Sequence, residues 1–395
     1  MAENQVKSMI GEVFNEIADA IMTGEFGKRI KVGLTTMGSE HGTEELVKGA
    51  SMAAKKYSDF EIVLVGPKVD TNLRVVEVNN EEEMHKKMDE LLDNGELDAA
   101  VTMHYNFPIG VSTVGRVITP GFGKELIIAT TTGTSSTQRV EGMVKNALHG
   151  IITAKAMGIK NPTVGILNVD GARQVERALK ELRSNGYSIN FSESVRTDGG
   201  VVMRGNDLLA AASDIMVMDT LTGNLMIKIF SAFTTGGSYE SLGYGYGPGV
   251  GDNYGKIICI LSRASGASVV CEALRYAASC ARGGLTKIAK EEFEKARKAG
   301  LDNILGTLTA ESKKAAPKAE IKQLDKKPVT KSVAGIDILE LENAVATLAE
   351  ESIYSESGMG CTGPIVLVAE GDYIKAIDIL LAKKYINERP LDCNC

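Results

Sequence analysis

A single thiol near the end of the chain has the features of a nucleophile. Cys361 lies in the segment ESGMGCTGPIV, where glycines on both sides leave access to its sulfur. A thiolate is a strong nucleophile and a good leaving group, so such a residue can accept an acyl group and pass it to phosphate. The main-chain N–H groups of Gly360, Cys361 and Thr362 could stabilise the thiolate or the oxyanion of a tetrahedral adduct. The alternative is a small cysteine buried at a tight turn.

The structure that follows Cys361 is left open by the sequence. The run PIVLVA is either a buried strand or a helix that begins at Pro364. A helix would lower the pKa of the thiol through its N-terminal dipole. The other thiols are weaker candidates, because Cys259 lies in a predicted strand and Cys271 and Cys280 lie in a predicted helix.

A second candidate site lies in the segment DTLTGNLMIK, which follows a predicted strand. Thr222, Gly223 and Asn224 form a turn that should begin a helix, with Lys228 one turn later. Asn224 could hold a carbonyl or phosphoryl oxygen while Lys228 supplies a compact positive charge. The pattern fits equally well with Thr222 or Asn224 capping the helix and Lys228 being solvated.

Polar side chains also follow three other predicted strands. His104 and Asn106 come after the third strand, although a lone histidine is more often a packed or surface residue than a catalyst. Arg263 and Ser265 follow a strand and precede a helix, a position that suits capture of an anion. The segment TTTGTSST at 130–137 offers hydroxyl and main-chain N–H groups that could surround an oxyanion.

Alternating strands and helices must position these residues. Short apolar runs predict seven strands: IKVGLTT, FEIVLVG, DAAVTM, ELIIATTT, TVGILNV, DIMVMD and KIICILS. The segments between them predict helices near 43–57, 81–94, 138–157, 173–185, 204–213 and 266–281. This alternation predicts an α/β fold with a doubly wound, largely parallel sheet. Ligands bind such sheets beyond the carboxyl ends of the strands.

Changes in composition divide the chain into four parts. Residues 1–26 predict an N-terminal amphipathic helix, and residues 27–310 predict the α/β domain, ending in one long charged helix over 285–308. The Lys-, Ala- and Pro-rich residues 311–332 predict a linker, and residues 333–395 form a C-terminal segment with Cys361 between two helices. The glycine-rich GYGYGPGVGDNYGK fits a lid or loop better than a dinucleotide site.

Bulk composition excludes several classes of function. The chain has 395 residues, 44% of them hydrophobic, and a net charge of −7, which argues against nucleic acid as a partner. It contains no apolar run long enough for a membrane span and no signal peptide, so we expect a cytoplasmic protein. Six cysteines are expected to be reduced thiols, and four scattered histidines give no metal site.

The order of these motifs resembles a known enzyme family. TMGSEHG, TVGILNVDG, DIMVMDTLTGNLMIK and KIICILSRASGASVVCEAL, within about residues 30–281, resemble the phosphate acyltransferases of bacterial phospholipid synthesis. That resemblance implies a two-lobed fold like isocitrate dehydrogenase and phosphotransacetylase, and conversion of an acyl thioester of acyl carrier protein to an acyl phosphate. With its extra helix, linker and GMGCTGP segment, the whole chain is more similar to the component C alpha subunits of glycine/sarcosine/betaine reductase complexes.

The second resemblance implies a specific reaction and specific partners. Selenoprotein A would deliver a carboxymethyl group on selenium, reductive cleavage would give an acetyl thioester on component C, and phosphate would release acetyl phosphate. Cys361 would bear the acyl group, and Asn224, Lys228, Arg263 and Ser265 would belong to the phosphate and acyl-oxygen site. The expected partners are the component C beta subunit and selenoprotein A in an oligomeric assembly. Phosphate is a co-substrate, and no cofactor is expected.

One departure bears on the substrate. Where the lipid-synthesis enzymes have an Asp-x-Gly-Ala-Asn box, this chain has TTTGTSS, which favours a two-carbon acyl group over a long chain or a carrier-bound pantetheine. Two alternative functions remain: a phosphate acyltransferase for lipid synthesis, and a non-catalytic subunit of the same fold that acts as a platform.

Overall fold

The computed structural model describes residues 29–195, 200–313, 324–334, 336, 341–360, 363–383, 385, 386 and 389, and six residues near the N terminus (11, 13, 14, 17, 18 and 21). Those six are helical, and the side chains of Val13, Phe14, Ile17 and Ile21 among them are exposed. The rest of the predicted helix over 1–26 and residues 314–323 of the predicted linker lie outside the described residues.

Fifteen strands form within the described residues, and all seven predicted strands are among them. They are β1 Ile30–Thr35, β2 Phe60–Gly66, β3 Arg74–Glu77, β4 Ala99–Thr102, β5 Ser112–Ile118, β6 Glu125–Gly133, β7 Thr163–Leu167, β8 Asn190–Phe191, β9 Val202–Met203, β10 Ile215–Val217, β11 Gly247–Val250, β12 Ile258–Ile260, β13 Lys331–Ala334, β14 Ser355–Gly360 and β15 Gly363–Val368.

Eleven α-helices connect and cover these strands in the described part of the chain. They are α1 Gly42–Lys56, α2 Glu81–Asp93, α3 Arg139–Ala156, α4 Ala172–Ser184, α5 Gly205–Ala210, α6 Thr220–Ala232, α7 Ala267–Arg282, α8 Leu285–Lys298, α9 Leu301–Lys313, α10 Leu341–Glu350 and α11 Tyr373–Ala382. Short 3-10 helices form at Phe233–Thr235 and Glu370–Asp372.

A twelve-stranded sheet forms the centre of the fold, in the order β3-β2-β1-β4-β12-β11-β5-β6-β10-β7-β8, with β9 also paired to β7. Strands β3, β2, β1, β4 and β12 are mutually parallel and form a first block. Strands β6, β10, β7 and β8 form a second parallel block. Between them, β11 and β5 pair antiparallel with each other and with their outer neighbours. Three reversals of direction make the two blocks run in opposite directions.

The sheet is buried on both faces, as the doubly wound prediction requires. Along β2, Ile62 and Leu64 pack into one hydrophobic cluster, while Val63 and Val65 pack into another on the opposite face. Helices α1, α3, α4, α7 and α8 contribute to the first face, and α2 and α6 contribute to the second. Near-continuous burial of β-branched and aliphatic residues is typical of such strands, and the α/β prediction is confirmed.

Two predictions about local structure are wrong. The helix expected over 285–308 is two helices, because Gly300 adopts a left-handed φ of +88° between α8 and α9. The glycine-rich segment expected to be a loop contains β11. A Cβ at Gly247 would lie 1.8 Å from the Val114 carbonyl oxygen, so glycine is needed for β11 to fit beside β5.

The C-terminal residues form a small separate core. Strands β13, β15 and β14 make a three-stranded antiparallel sheet, covered by α10 and α11. Within the described residues, Ile109 is the only hydrophobic residue of the preceding chain that packs against this core. The run PIVLVA, which the sequence left open, lies in strand β15 through Val368.

No helix in the described part of the chain is long and apolar enough to cross a membrane.

Candidate functional site

A cleft of about 250 Å³ opens where the two parallel blocks meet. Its lining residues come from the ends of strands in both blocks, from α6 and from the C-terminal sheet. They are Glu40, Met103, His104, Tyr105, Phe107, Thr132, Gly133, Asn224, Lys228, Tyr246, Ile260, Leu261, Ser262, Arg263, Met359 and Gly360. The carboxyl ends of parallel strands are the expected place for a ligand site, and here β4, β12 and β6 all end at one cleft.

Five of the residues singled out in the sequence meet in this cleft: His104, Asn224, Lys228, Arg263 and Gly360. Asn106 is exposed and does not line it. Thr222, Gly223 and Ser265 lie outside the lining and act on the residues that form it, as described below. Cys361 and Thr362 lie outside the described residues.

A bulge in β6 gives the threonine-rich segment its shape. Thr113 of β5 pairs with Thr132, but the next residue, Val114, pairs with Ala129, so Thr130 and Thr131 are extra residues on β6. Bulges of this kind redirect side chains at the end of a strand. Here the bulge brings Thr132 and the adjacent Gly133 to the cleft.

Helix α6 is held tightly against this bulge. A Cβ built on Gly223 would lie 1.7 Å from the Thr130 carbonyl oxygen, so only glycine allows this approach. The Asn224 amide donates a hydrogen bond to the Thr131 carbonyl oxygen at 3.0 Å. The glycine and asparagine of the LTGN turn therefore fix α6, and with it Lys228, relative to the cleft.

Replacing Gly223 by alanine is expected to damage the site and the fold together. The added methyl group must displace α6 or the β6 bulge, and such overpacking costs about 1–3 kcal/mol. Thermal denaturation should show a lower Tm, and anion binding in the cleft should weaken because Asn224 and Lys228 move. Gly306→Ala on α9 is the matched control, since a Cβ there meets nothing within 4 Å. Equal stability of the two variants would contradict the packing argument.

The start of α6 is capped by Asp219. Its carboxylate accepts hydrogen bonds from the Thr222 main-chain N–H at 3.1 Å and from the Thr222 hydroxyl at 2.6 Å. The cap is therefore Asp219, three residues before Thr222, and neither Thr222 nor Asn224 caps the helix as the sequence analysis had offered. Asn224 is left to bind the β6 bulge.

Positive charge collects on one side of the cleft. The ammonium of Lys228 and the guanidinium of Arg263 are exposed, and neither forms an ion pair with any described carboxylate. The pKa of His104 is lowered, first by burial and then by the charges of His85 and Arg263. At neutral pH the imidazole of His104 is therefore uncharged. The positive charges of the lining are Lys228 and Arg263, and Glu40 is the carboxylate among the lining residues. Such an arrangement suits an anionic ligand.

A buried carboxyl group behind the cleft escaped the sequence analysis. Glu240 is 4% exposed and accepts hydrogen bonds from the Tyr246 hydroxyl at 3.1 Å and the Ser265 hydroxyl at 3.1 Å. Burial raises its pKa, while hydrogen bonds from Ser262, Ser265 and Tyr246 and the charge of Lys228 act in the opposite direction. Ser265 thus reaches the cleft only indirectly. Glu240 lies three residues before the glycine-rich segment GYGYGPGVGDNYGK, and no periodicity in the sequence signals its burial.

The N-terminus of α7 is not free to bind an anion. The Ala267 main-chain N–H donates a hydrogen bond to the Glu45 carboxylate of α1 at 2.8 Å. The carboxylate thus occupies the position that an anion would take at a helix start. Anion capture by the SRASGA segment therefore depends on the side chains of Ser262 and Arg263.

Three cysteines can be compared as possible nucleophiles. Cys259, Cys271 and Cys280 are all buried. Burial raises the pKa of all three thiols, that of Cys271 to about 11. These sulfurs stay protonated at neutral pH and are poor nucleophiles.

The hairpin of β14 and β15 brings the C-terminal sheet to the cleft. The two strands pair through Met359 with Pro364 and through Gly360 with Gly363. Met359 and Gly360, at the end of β14, line the cleft together with Lys228 and Arg263. The segment that carries the candidate thiol in the sequence is thus joined directly to the cleft wall.

Comparison with known proteins identifies the relatives of this chain. A family model described as fatty acid synthesis protein matches residues 30–367. The glycine/sarcosine/betaine reductase complex component C subunit alpha of Peptoclostridium acidaminophilum is 62% identical over 377 residues, which is 95% of this chain and 98% of that protein. The phosphate acyltransferase of Thermotoga petrophila is 26% identical over 239 residues, covering 51% of this chain and 67% of the relative.

Among solved structures, a branched-chain phosphotransacylase from Enterococcus faecalis V583 aligns with a TM-score of 0.43 and 14% identity. The alignment covers 64% of this chain and 99% of that structure.

Proposed function

This chain belongs to the fatty acid synthesis protein family and, within it, to the component C alpha subunits, and on that premise we propose that it transfers an acetyl group from an enzyme-bound thioester to inorganic phosphate. The name of the Thermotoga petrophila relative, a phosphate acyltransferase, supports the use of phosphate as the acceptor.

One observation carries the proposal: the end of strand β14 and two unpaired cations line the same cleft. Gly360 lies in the wall of the cleft, together with Lys228 and Arg263. Neither cation forms an ion pair with a described carboxylate. A single peptide bond, about 3.8 Å between Cα atoms, separates Gly360 from Cys361 in the chain. This supports Cys361 as the thiol that holds the acyl group where phosphate binds.

The reaction needs little more than correct placement of two reactants. A phosphate oxygen attacks the thioester carbonyl carbon, a tetrahedral adduct forms, and the C–S bond breaks to release the thiolate and the acyl phosphate. In our proposal Lys228 and Arg263 hold the phosphate, and the main-chain N–H groups near Gly360 stabilise the oxyanion. One of the two amide N–H groups of Asn224 is committed to the Thr131 carbonyl oxygen, and the second N–H is the donor that it offers to a phosphate or carbonyl oxygen.

The biological context of the reaction is taken from the resemblance. We propose that the acetyl thioester arises when a carboxymethyl group delivered by selenoprotein A is cleaved reductively, and that the component C beta subunit takes part. The name of the Peptoclostridium acidaminophilum relative, a subunit of a reductase complex, supports such an assembly. Helix α6 also exposes apolar side chains at every fourth position, a pattern that supports contact with another protein chain. They are Leu221, Leu225, Ile229 and, just beyond the helix, Phe233.

The size of the cleft supports a small acyl group. Phe107 is 4% exposed and packs edge-on against Tyr105 and Tyr254, with ring centroids 5.1 and 5.8 Å apart. It lines the cleft, while Pro108 to Val111 and Tyr254 line a neighbouring cavity of about 530 Å³. Gly249 lies in β11, and a Cβ there would lie 2.4 Å from the Phe107 ring, so the ring fits closely against β11. Phe107 thus stands between the cleft and a space that could hold a longer chain.

Replacing Phe107 by alanine is expected to relax the choice of acyl group. Joining the two cavities should raise the ratio of butyryl to acetyl transfer by at least about tenfold, since each methylene in an apolar pocket changes discrimination by about that factor. Phosphorolysis of acetyl and butyryl thioesters would measure the ratio. Tyr254→Phe, which keeps the ring, is the control and should leave the ratio unchanged. An unchanged ratio in Phe107→Ala would mean that another feature limits chain length.

Arsenolysis tests the proposed reaction in one step. Arsenate replaces phosphate and gives an acyl arsenate that hydrolyses, so acetyl phosphate should disappear when the purified chain, arsenate and acetyl phosphate are incubated together. Loss of acetyl phosphate supports the acyltransferase. No loss, with or without the beta subunit, would favour a non-catalytic platform. Formation of long-chain acyl phosphate from acyl carrier protein would favour the lipid-synthesis enzyme.

A further inference from the structure

We propose that Glu240 is a positioning residue of the anion site, and that its carboxyl group takes up one proton when a tetrahedral dianion binds beside Lys228 and Arg263. This inference rests on the phosphate site proposed above. It assigns a role to a side chain that lies behind the cleft and does not touch the ligand.

Glu240 fixes the backbone of the loop that carries Ser262 and Arg263. Its main-chain N–H donates to the Ala264 carbonyl oxygen at 2.9 Å, and its carbonyl oxygen accepts from the Gly266 N–H at 2.9 Å. Its carboxylate accepts from the Ser265 hydroxyl at 3.1 Å. Three hydrogen bonds within one short loop leave it little freedom. The Arg263 side chain is therefore presented to the cleft from a fixed backbone.

Glu240 is also connected to the other walls of the cleft. Its second carboxylate oxygen accepts from the hydroxyl of Tyr246, which is 4% exposed and itself lines the cleft. Ser262, also in the lining, contributes a further hydrogen bond. One carboxyl group thus organises two cleft hydroxyls at once, and a change in its charge alters both.

The charge of the bound anion affects the protonation of Glu240. The groups that face the Glu240 carboxyl are the hydroxyls of Tyr246, Ser262 and Ser265 and the positive charge of Lys228 on α6. Burial already favours the neutral acid, while the charge of Lys228 favours the carboxylate. A dianion bound at Lys228 cancels that charge and adds a like charge, and both changes raise the pKa of Glu240 further. Proton uptake by Glu240 then removes the repulsion between a buried carboxylate and the bound anion.

Proton uptake on binding determines how the affinity for the anion changes with pH. Since binding raises the pKa of Glu240, the anion binds more tightly at low pH, and affinity falls as pH rises through the pKa of the free protein. When one proton is taken up on binding, the affinity for the anion falls by up to about tenfold per pH unit. Above the pKa of the anion-bound protein the affinity becomes constant again.

Sulfate is the probe of choice, because it is a tetrahedral dianion that does not titrate near neutral pH. Titration calorimetry of the full chain with sulfate, across about pH 5 to 8.5 and in buffers of different ionisation enthalpy, gives both affinity and protons taken up. We expect proton uptake and a falling affinity for the wild type. Glu240→Gln keeps the shape and hydrogen-bonding capacity of the side chain, and should bind sulfate with no pH dependence from this group.

Two variants separate Glu240 from other sources of a pH effect. Glu125→Gln removes a carboxylate that also accepts from a tyrosine, Tyr244, but lies outside the cleft lining, and it should behave as the wild type. Tyr246→Phe removes a hydrogen bond that stabilises the carboxylate, so the pH midpoint of sulfate binding should rise. This second variant decides the question even if Glu240→Gln does not fold.

The outcomes distinguish this inference from the proposed function. Sulfate and inorganic phosphate that fail to bind the wild type would remove the proposed anion site itself. Binding with the same proton uptake in wild type and Glu240→Gln would assign the proton to another group, such as His104, and overturn the inference. A pH midpoint that does not move in Tyr246→Phe would overturn it as well.

Discussion

Cys361→Ala is expected to reduce acetyl transfer to background. In the proposed reaction the acyl group is bound to this sulfur, and a methyl side chain cannot form a thioester or leave as a thiolate. The assay is arsenate-dependent loss of acetyl phosphate by the full chain. Mass spectrometry after treatment with acetyl phosphate should locate one acetyl group on the peptide containing Cys361 in the wild type and none on that peptide in the variant.

Cys271→Ala is the control for Cys361→Ala. Cys271 is 2% exposed in α7, and burial raises its pKa to about 11. Removing its sulfur should cost roughly 1 kcal/mol of stability and leave acetyl transfer intact. Equal loss of activity in both variants, with folding intact, would show that neither sulfur is the acyl carrier. An acetyl group found on another cysteine would move the assignment to that residue.

Lys228→Ala should lower kcat/KM for phosphate by about 10- to 100-fold, because a hydrogen bond from a charged donor to the bound anion, worth about 1.5–3 kcal/mol, is lost. Its ammonium is exposed to the cleft, and no described carboxylate within ion-pair distance competes with a ligand. The loss should appear mainly in the KM for phosphate, because the charge is present before and after the attack. Initial rates at varied phosphate, or arsenate, measure it.

Lys287→Ala on α8 serves as the control, since it removes an exposed lysine of a helix away from the cleft. It should leave kcat and KM unchanged. Lys228→Arg should restore part of the phosphate affinity by restoring the charge, although the larger guanidinium alters the geometry. A normal KM for phosphate in Lys228→Ala would exclude this residue from the anion site.

The strands were predictable because burial on both faces leaves a clear record in the sequence. Runs such as FEIVLVG and IKVGLTT contain almost only apolar or small residues, and each became a strand within one or two residues of its expected ends. The strand β11 was missed for the opposite reason. Its sequence, GPGV, has no side-chain pattern, because the backbone of β5 at Val114 and the ring of Tyr276 leave space for glycine alone at Gly247.

The site was predictable only in part. Placing polar residues after strands brought His104, Asn224, Lys228 and Arg263 to one cleft. Glu240, Tyr246 and Phe107 were missed, because their positions depend on long-range packing that local sequence does not encode. Glu240 meets Ser265 across 25 residues. Asn106 was predicted as a site residue because it follows a strand. The position of a strand end does not show which of two successive side chains points into the cleft.

The return of the chain to the first block has a consequence for synthesis on the ribosome. Strand β12, formed by Ile258–Ile260, completes the edge of β4, and α7 covers α1. At about 5–20 residues per second, these late segments leave the ribosome on the order of ten seconds or more after β4. During that interval the nascent chain exposes an unpaired edge and the apolar side of α1, both of which promote aggregation. Chaperone dependence should therefore be greatest for chains truncated between β4 and α7.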